Sequence, residues 1–295
     1  MRGSGREARN SKGVSPLLFR ETPPFRSTGK FRTQSEGAGN VKVLACIKRV
    51  PITGGRIVLT EDEQAIETKH LGFAISPHEE CGVEEAVRLW EHHGGDTVVL
   101  TLGPTDAQEQ LRDAMAIGIA RGIHLVTDGE EWDPEATAGA IVAAVNADEA
   151  ASGPFDLIFF GNESADSGGF QIGLRVAHAL GRPCATGLKS VVVEGGSARC
   201  EQEEGGGRDV YELPLPAVVT VLEGLNLPRY PSVPGRMRAG RKPLDATSPE
   251  RPVSRLERAR LVVPAGESKQ AEVLGHGADA ASAVVDLLEQ IGVAS

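Results

Sequence analysis

From residue 41 onward, short apolar runs alternate with longer segments in which apolar positions recur every three or four residues. Strand-length runs separated by amphipathic stretches are the pattern of strands and crossover helices, so an α/β fold is expected, with a mostly parallel sheet and flanking helices. Strands are predicted at Val41–Ile47, 97–102, 123–126 and 155–160. The helix after the first strand should begin at Ser76-Pro77-His78-Glu79, where Ser76 can cap, Pro77 suits the first turn and Glu79 completes a capping box. Val83, Ala86, Val87 and Trp90 then share one face. A second helix starts at Thr105-x-x-Gln108 with Leu111, Ala114 and Met115 inward. A third runs from Asp133-Pro134 to about Ala147, and a fourth from near Ser167 to just before Gly181-Arg182-Pro183.

After Cys184 the period changes to two, at 190–194, 198–203 and 209–213, with Gly195-Gly196 and Gly205-Gly206-Gly207 between, which predicts a β-hairpin extension. Residues 216–222 form another apolar strand. The Pro-, Arg- and Gly-rich segment 225–242 is expected to be an exposed, ordered loop with a short helix. A final amphipathic helix at 278–291 carries Ala281, Val284, Val285, Leu288 and Ile291 on one side. The expected organisation is therefore a tail (1–40), a nucleotide-binding-type α/β domain (41–244) and a C-terminal arm and helix (245–295).

With 295 residues, 24% charged and 40% apolar, the chain is long enough for one large domain or two. Its longest apolar runs are far short of the ~18 residues a membrane span needs, so no membrane insertion is expected. Cys46, Cys81, Cys184 and Cys200 form no CxxC pair, which points to reduced thiols and neither a zinc site nor a disulfide framework. The net charge of −10 is unevenly spread: residues 1–40 hold eight Lys/Arg against three Glu, +5, which leaves −15 on the rest. An acidic body argues against nucleic acid as a partner. The basic, Gly/Ser/Pro-rich tail cannot bury enough surface to offset chain entropy and is expected to be disordered, as a plain tail, a transit peptide or an over-extended gene start.

No GxGxxG follows the first strand, and GxxxxGK[ST], GxSxG and HExxH are absent, so dehydrogenase, P-loop, hydrolase and zincin chemistry have no carrier here and no metal site is assigned. The informative loop is Gly161-Asn162-Glu163-Ser164-Ala165-Asp166-Ser167-Gly168-Gly169-Phe170-Gln171, between a buried strand and a helix. Small residues at the carboxyl end of a strand let backbone N–H groups and a helix N-terminus approach a phosphate. The alternative is that Asp166 and Ser167 merely cap the helix and the glycines make a turn. The cations of 229–242 could form a phosphate patch, an RNA patch, a docking surface for an acidic partner, or a solvated helix.

Taken in order, Val41-Lys42-Val43-Leu44-Ala45-Cys46-Ile47-Lys48-Arg49-Val50-Pro51, the Ser76-Pro77 helix with Val83-Glu84-Glu85-Ala86-Val87-Arg88-Leu89, Arg121-Gly122-Ile123-His124, Leu215-Pro216-Ala217-Val218-Val219-Thr220 and Asn226-x-Pro228-Arg229-Tyr230 resemble the β subunit of electron transfer flavoprotein. The resemblance covers about 41–244 and implies that the arm and helix at 245–295 pack on the partner subunit. It implies a fold like that of the adenine nucleotide α-hydrolase group, no catalytic residues on this chain, and pairing with an α subunit that holds the redox-active FAD. It also implies AMP as a structural ligand of this subunit, or a second FAD in electron-bifurcating members. Electrons would come from flavin dehydrogenases, such as the acyl-CoA dehydrogenases of fatty acid β-oxidation, and pass to a quinone-linked oxidoreductase. The compartment implied is the cytoplasm, or the mitochondrial matrix in a eukaryote.

The positions matching the family's nucleotide pocket are Cys46, Ser76 to Glu79 (Ser76, Pro77, His78, Glu79), Leu102 beside Gly103, and Gly161 to Ile172. Its exposed partner-docking leucine matches Leu225. The chain departs from the pattern where Asn162 replaces a Lys, Ser76 an Asn, Ile52 an Asp and Gln202 an Arg. A universal-stress-type regulatory module that binds ATP or AMP without a flavin partner is the other class considered; the strands and Arg-rich segment after Cys184 argue against it.

Overall fold

The computed structural model describes residues 40–54, 57–256, 258–263 and 273–293. The tail expected to be disordered thus lies, apart from Asn40, outside the described residues. In chain order the elements are β1 (Val41–Ile47), β2 (Val50–Pro51), β3 (Phe73–Ala74), α1 (Pro77–His93), β4 (Gly95–Gly103), a 3-10 turn (Thr105–Ala107), α2 (Gln108–Ile117), β5 (Arg121–Val126), α3 (Pro134–Ser152), β6 (Leu157–Gly161) and α4 (Ile172–Leu180). They continue as β7 (Cys184–Glu194), β8 (Ser197–Glu204), β9 (Gly207–Pro214), β10 (Ala217–Val221), α5 (Val233–Ala239), β11 (Leu244–Thr247), a second 3-10 turn (Gly277–Ala280) and α6 (Ala281–Gln290).

One nine-stranded sheet runs in the order β11-β5-β4-β1-β6-β10-β7-β8-β9, parallel as far as β7 and antiparallel beyond it. Every residue of β1 is buried, as expected of a parallel strand covered on both faces. Val41, Val43, Ala45 and Ile47 pack with α1 and α2, whereas Leu44 and Cys46 pack on the other face with α3 and α4. The result is a three-layer α/β fold.

The α1 start follows the expected chemistry: Ser76 Oγ accepts the Glu79 N–H at 3.2 Å, and the Glu79 carboxylate accepts the Ser76 N–H at 2.9 Å. Asp133 likewise caps α3 through the Ala136 N–H at 2.8 Å.

Several expectations need correction. Trp90 is 39% exposed; the buried rows of α1 are Gly82, Ala86 and Leu89 together with Val83 and Val87, so the inward stripe ends one residue short of the indole. The fourth helix begins at Ile172, not near Ser167. Residues 164–169 instead close on themselves: Ser164 accepts the Gly168 N–H on its carbonyl at 2.8 Å and the Gly169 N–H on its hydroxyl at 3.1 Å. Such local bonds offer the backbone an alternative to the helix. The third helix runs five residues further, to Ser152. β7 starts at Cys184, because its first half pairs with β10 before its second half turns to β8. In α6, found as expected, no residue is buried. Among the described residues, no helix is long and apolar enough to cross a membrane.

Candidate functional site

β1 lies between β4 and β6, and the connections leave it in opposite directions: the chain from β1 reaches α1 on one face, and the chain from β6 reaches α4 on the other. That is a topological switch point, where the carboxyl ends of neighbouring parallel strands open a crevice.

The α1 first turn sits directly against the end of β6. A Cβ added to Gly161 would meet Glu79 Cγ at 2.9 Å, His78 Cβ at 3.3 Å and Ser76 Oγ at 3.4 Å, so glycine is the residue this approach admits. Glu79 also accepts the Lys48 N–H at 2.9 Å, which ties the end of β1 to the same turn. Burial pushes the Glu79 carboxyl up to about 7, against the Ser76 and Lys48 donors that favour its charged form. Burial, and then the Glu79 charge, hold the Cys46 thiol well above its ordinary range, so Cys46 is an inert core group here.

Across the crevice, the 162–171 loop is anchored at one end by Asn162, whose Oδ1 accepts the Thr220 hydroxyl at 2.8 Å. Midway, Lys48 Nζ lies 2.7 Å from Asp166 and 3.1 Å from Glu131. Burial would lower the Lys48 pKa; the two carboxylates outweigh it and raise it. Asp166 and Glu131 are lowered in turn, their burial overcome by Lys48 and, at Glu131, by Arg258 as well. Asp166 and Ser167 do not cap α4: its N-cap position is Gln171, which makes no side-chain cap bond and instead holds Arg175 at 3.0 Å. The N-terminus of α4 therefore keeps its backbone donors for another partner.

Of the residues singled out by sequence, Ser76, His78, Glu79 and Gly161 are brought into one cluster, and Asp166 joins it through Lys48. Cys46, Leu102 and Ile172 share the α3/α4 side of the crevice. Pro77, Ala165, Ser167, Gly168, Phe170 and Gln171 are exposed, and Asn162, Glu163, Ser164 and Gly169 half-buried. Leu225 stands apart, half-buried against the core on the α1 face.

Sequence reasoning missed Lys48, Glu131 and Trp132. Their signal was position alone, Lys48 directly after β1 and Glu131 and Trp132 in the loop between β5 and α3. Three of the five buried side-chain polar atoms without a hydrogen-bond partner among the described residues lie along this edge: Arg49 Nε after β1, whose guanidinium stacks on Phe73, His78 Nδ1 at the α1 start and Trp132 Nε1 after β5. Buried polar groups are normally paired, so an edge with three unpaired ones fits a polar ligand such as a nucleotide.

The sequence model of the electron transfer flavoprotein domain matches residues 65–251. The chain is 35% identical over 193 residues to electron transfer flavoprotein subunit beta of Bacillus subtilis, covering 63% of this chain and 73% of the relative. It is 36% identical over 206 residues to that of Syntrophomonas wolfei (70% and 79%) and 34% identical over 210 residues to that of Homo sapiens (71% and 82%). With its switch-point fold and this breadth of similarity, the chain belongs to the electron transfer flavoprotein β-subunit family.

Proposed function

We propose that this chain is the small subunit of a heterodimeric electron carrier, and that it holds AMP as a structural ligand in the β1/β6 crevice. An α subunit would carry the FAD that takes electrons from flavin dehydrogenases, such as acyl-CoA dehydrogenases, and passes them to a quinone-linked oxidoreductase. Its compartment would be the cytoplasm, or the matrix of a mitochondrion. Carriers of this kind work through small, short-lived encounters and need no acid, base or nucleophile of their own on this chain.

The observation that carries the ligand assignment is the crevice edge with its three unpaired buried atoms beside an uncapped helix N-terminus. A bound nucleotide supplies no chemistry to the transfer; it fills the switch point and stabilises the folded subunit by mass action. The α4 N-terminus and the Ser164 and Ser167 hydroxyls are suited to phosphate oxygens. Lys48 supplies the positive charge, and Glu79 keeps the α1 turn closed on β1.

Two surfaces suit partners. The 222–232 loop is clamped to α1: Asn226 donates to Cys81 O at 3.0 Å and to Glu85 at 2.9 Å, and Arg229 pairs with Glu84 at 2.9 Å and Glu91 at 2.6 Å. Held there, it turns Leu225 half inward and projects Leu227, 84% exposed, with Tyr230 and Met237 also exposed. Rigid apolar prongs of this kind suit a dehydrogenase partner, with Leu225 supporting Leu227 from below. The uncovered apolar residues Val284, Val285 and Leu287 of α6, with Ile291 just after it, suit the α subunit.

The test is to co-express the chain with its candidate α subunit, denature the complex and identify the released nucleotides by mass spectrometry. One FAD and one AMP per heterodimer is the expected result. Two FAD and no AMP would replace the ligand assignment with electron bifurcation.

A further inference from the structure

Residues 251–256 and 258–261 run as an extended strap past the 130–133 segment that follows β5, held by polar contacts and ending at the half-buried Leu261. Arg251 pairs with Glu130 and donates to Glu131 O at 2.9 Å. Ser254 Oγ and the Arg255 N–H both donate to Asp133, at 2.8 and 3.1 Å. Arg258 donates to Gln64 O at 2.6 Å, Gln64 Nε2 to Ala259 O at 3.1 Å, and the Leu261 N–H to Glu63 O at 2.8 Å. Val253 and Leu256 of the strap are exposed. A segment pinned by exposed polar bonds, with no side chain more than half-buried among its described residues, can open without unfolding the domain.

One contact links the strap to the crevice. Arg258 pairs with Glu131, Glu131 with Lys48, and Lys48 with Asp166 of the 162–171 loop. With the strap closed, these two cations and two carboxylates sum to zero. With Arg258 withdrawn, the remaining three sum to −1 beside the place proposed for a phosphate.

We infer that the 251–261 strap is an electrostatic latch, in which Arg258 neutralises Glu131 and so makes the crevice hospitable to an anionic nucleotide. The latch rests on the nucleotide assignment given above. Arg258 acts through Glu131 and Lys48 and is a positioning residue. By linkage, strap closure and nucleotide binding favour each other: the ligand should hold the strap down, and the strap should hold the ligand.

The test uses AMP as probe on the full-length chain, with calorimetric titration for affinity and hydrogen exchange for the strap. Removing one charge this close to a phosphate should weaken AMP binding by Arg258→Gln about tenfold. The double variant Glu131→Gln/Arg258→Gln leaves Lys48 and Asp166 as a neutral pair and should restore the affinity to within about twofold, although the strap contact is gone. A double variant as weak as Arg258→Gln would overturn the latch, because loss of packing and not loss of charge would then be responsible. AMP should also slow exchange in 251–261 of the wild-type chain, and unchanged exchange in the bound state would equally overturn it. Failure of the nucleotide assignment looks different: the wild-type chain then binds no AMP, while Arg258→Gln still speeds exchange of the strap.

Discussion

The Glu79 carboxylate accepts the backbone N–H of Lys48 at 2.9 Å and that of Ser76 at 2.9 Å, so one side chain joins the end of the central strand to the start of the first helix. This makes a capping residue part of the crevice wall. Its protonation then matters. The folded-state value near 7 stands above the ordinary 4.5, so the folded state binds the proton more tightly than the unfolded state. The resulting stabilisation is complete below about pH 4.5 and is lost as pH rises to about 7. Urea unfolding between pH 5 and 8 should show stability falling with a limiting slope of about 1.4 kcal/mol per pH unit from this group, flattening above 7. Glu79→Gln should remove that slope.

Gly161 should tolerate no side chain. Its Cβ would lie 2.9 Å from Glu79 Cγ, and the neighbouring α1 turn is fixed by its capping box. Gly161→Ala is expected to destabilise the chain by about 1–3 kcal/mol and to lower the nucleotide retained on purification. Thermal unfolding and nucleotide content measure the two effects separately.

At the opposite edge of the sheet, Asp148 bonds Lys42 at 2.6 Å and Arg121 at 2.5 Å, tying α3 to β1 and β5. Burial opposes the charge, but the Arg121 and Lys42 bonds prevail and lower Asp148 to about 2. Its contribution is therefore present above about pH 3.8 and lost as pH falls to about 2. Asp148→Ala leaves the nearly buried Lys42 with only the neutral Ser152 and Gly153 acceptors and the Phe155 ring, and should cost about 3 kcal/mol at neutral pH, measured by chemical denaturation. At pH 2 the difference from wild type should shrink.

Leu225 and Leu227, two residues apart, should answer differently to truncation. Leu225→Ala removes a half-buried group and is expected to cost about 1–2 kcal/mol of stability, below the range for a fully buried leucine. Leu227→Ala should leave stability unchanged and instead lower the rate of electron uptake from a reduced acyl-CoA dehydrogenase. Steady-state reduction of the heterodimer, followed by flavin absorbance, reads the second effect.

The first strand and the start of the first helix were legible in the sequence almost to the residue, whereas the end of α3 and the start of α4 were each missed by five. β1 spans Val41–Ile47 as expected, and α1 begins at Pro77 with its capping box. The 162–171 loop was legible as a place and not as a shape. Serine and aspartate there can either cap a helix or bond their own backbone, and composition does not choose between the two. The Lys48–Glu131–Arg258 chain was not legible at all, since its members are separated by 83 and 127 positions and carry no spacing signal.

Local chemistry by itself thus determined most of the strands and helices, though not β2, β3 or β11, and where α1 and α3 start. These follow from side-chain period and capping, interactions that reach only a few residues along the chain. Tertiary structure alone decided that Gly161 must lack a Cβ, that Leu225 turns inward while Leu227 projects, and that Arg258 balances Glu131 above the crevice. Those are matters of distance between groups remote in sequence, and only packing of the layers sets that distance.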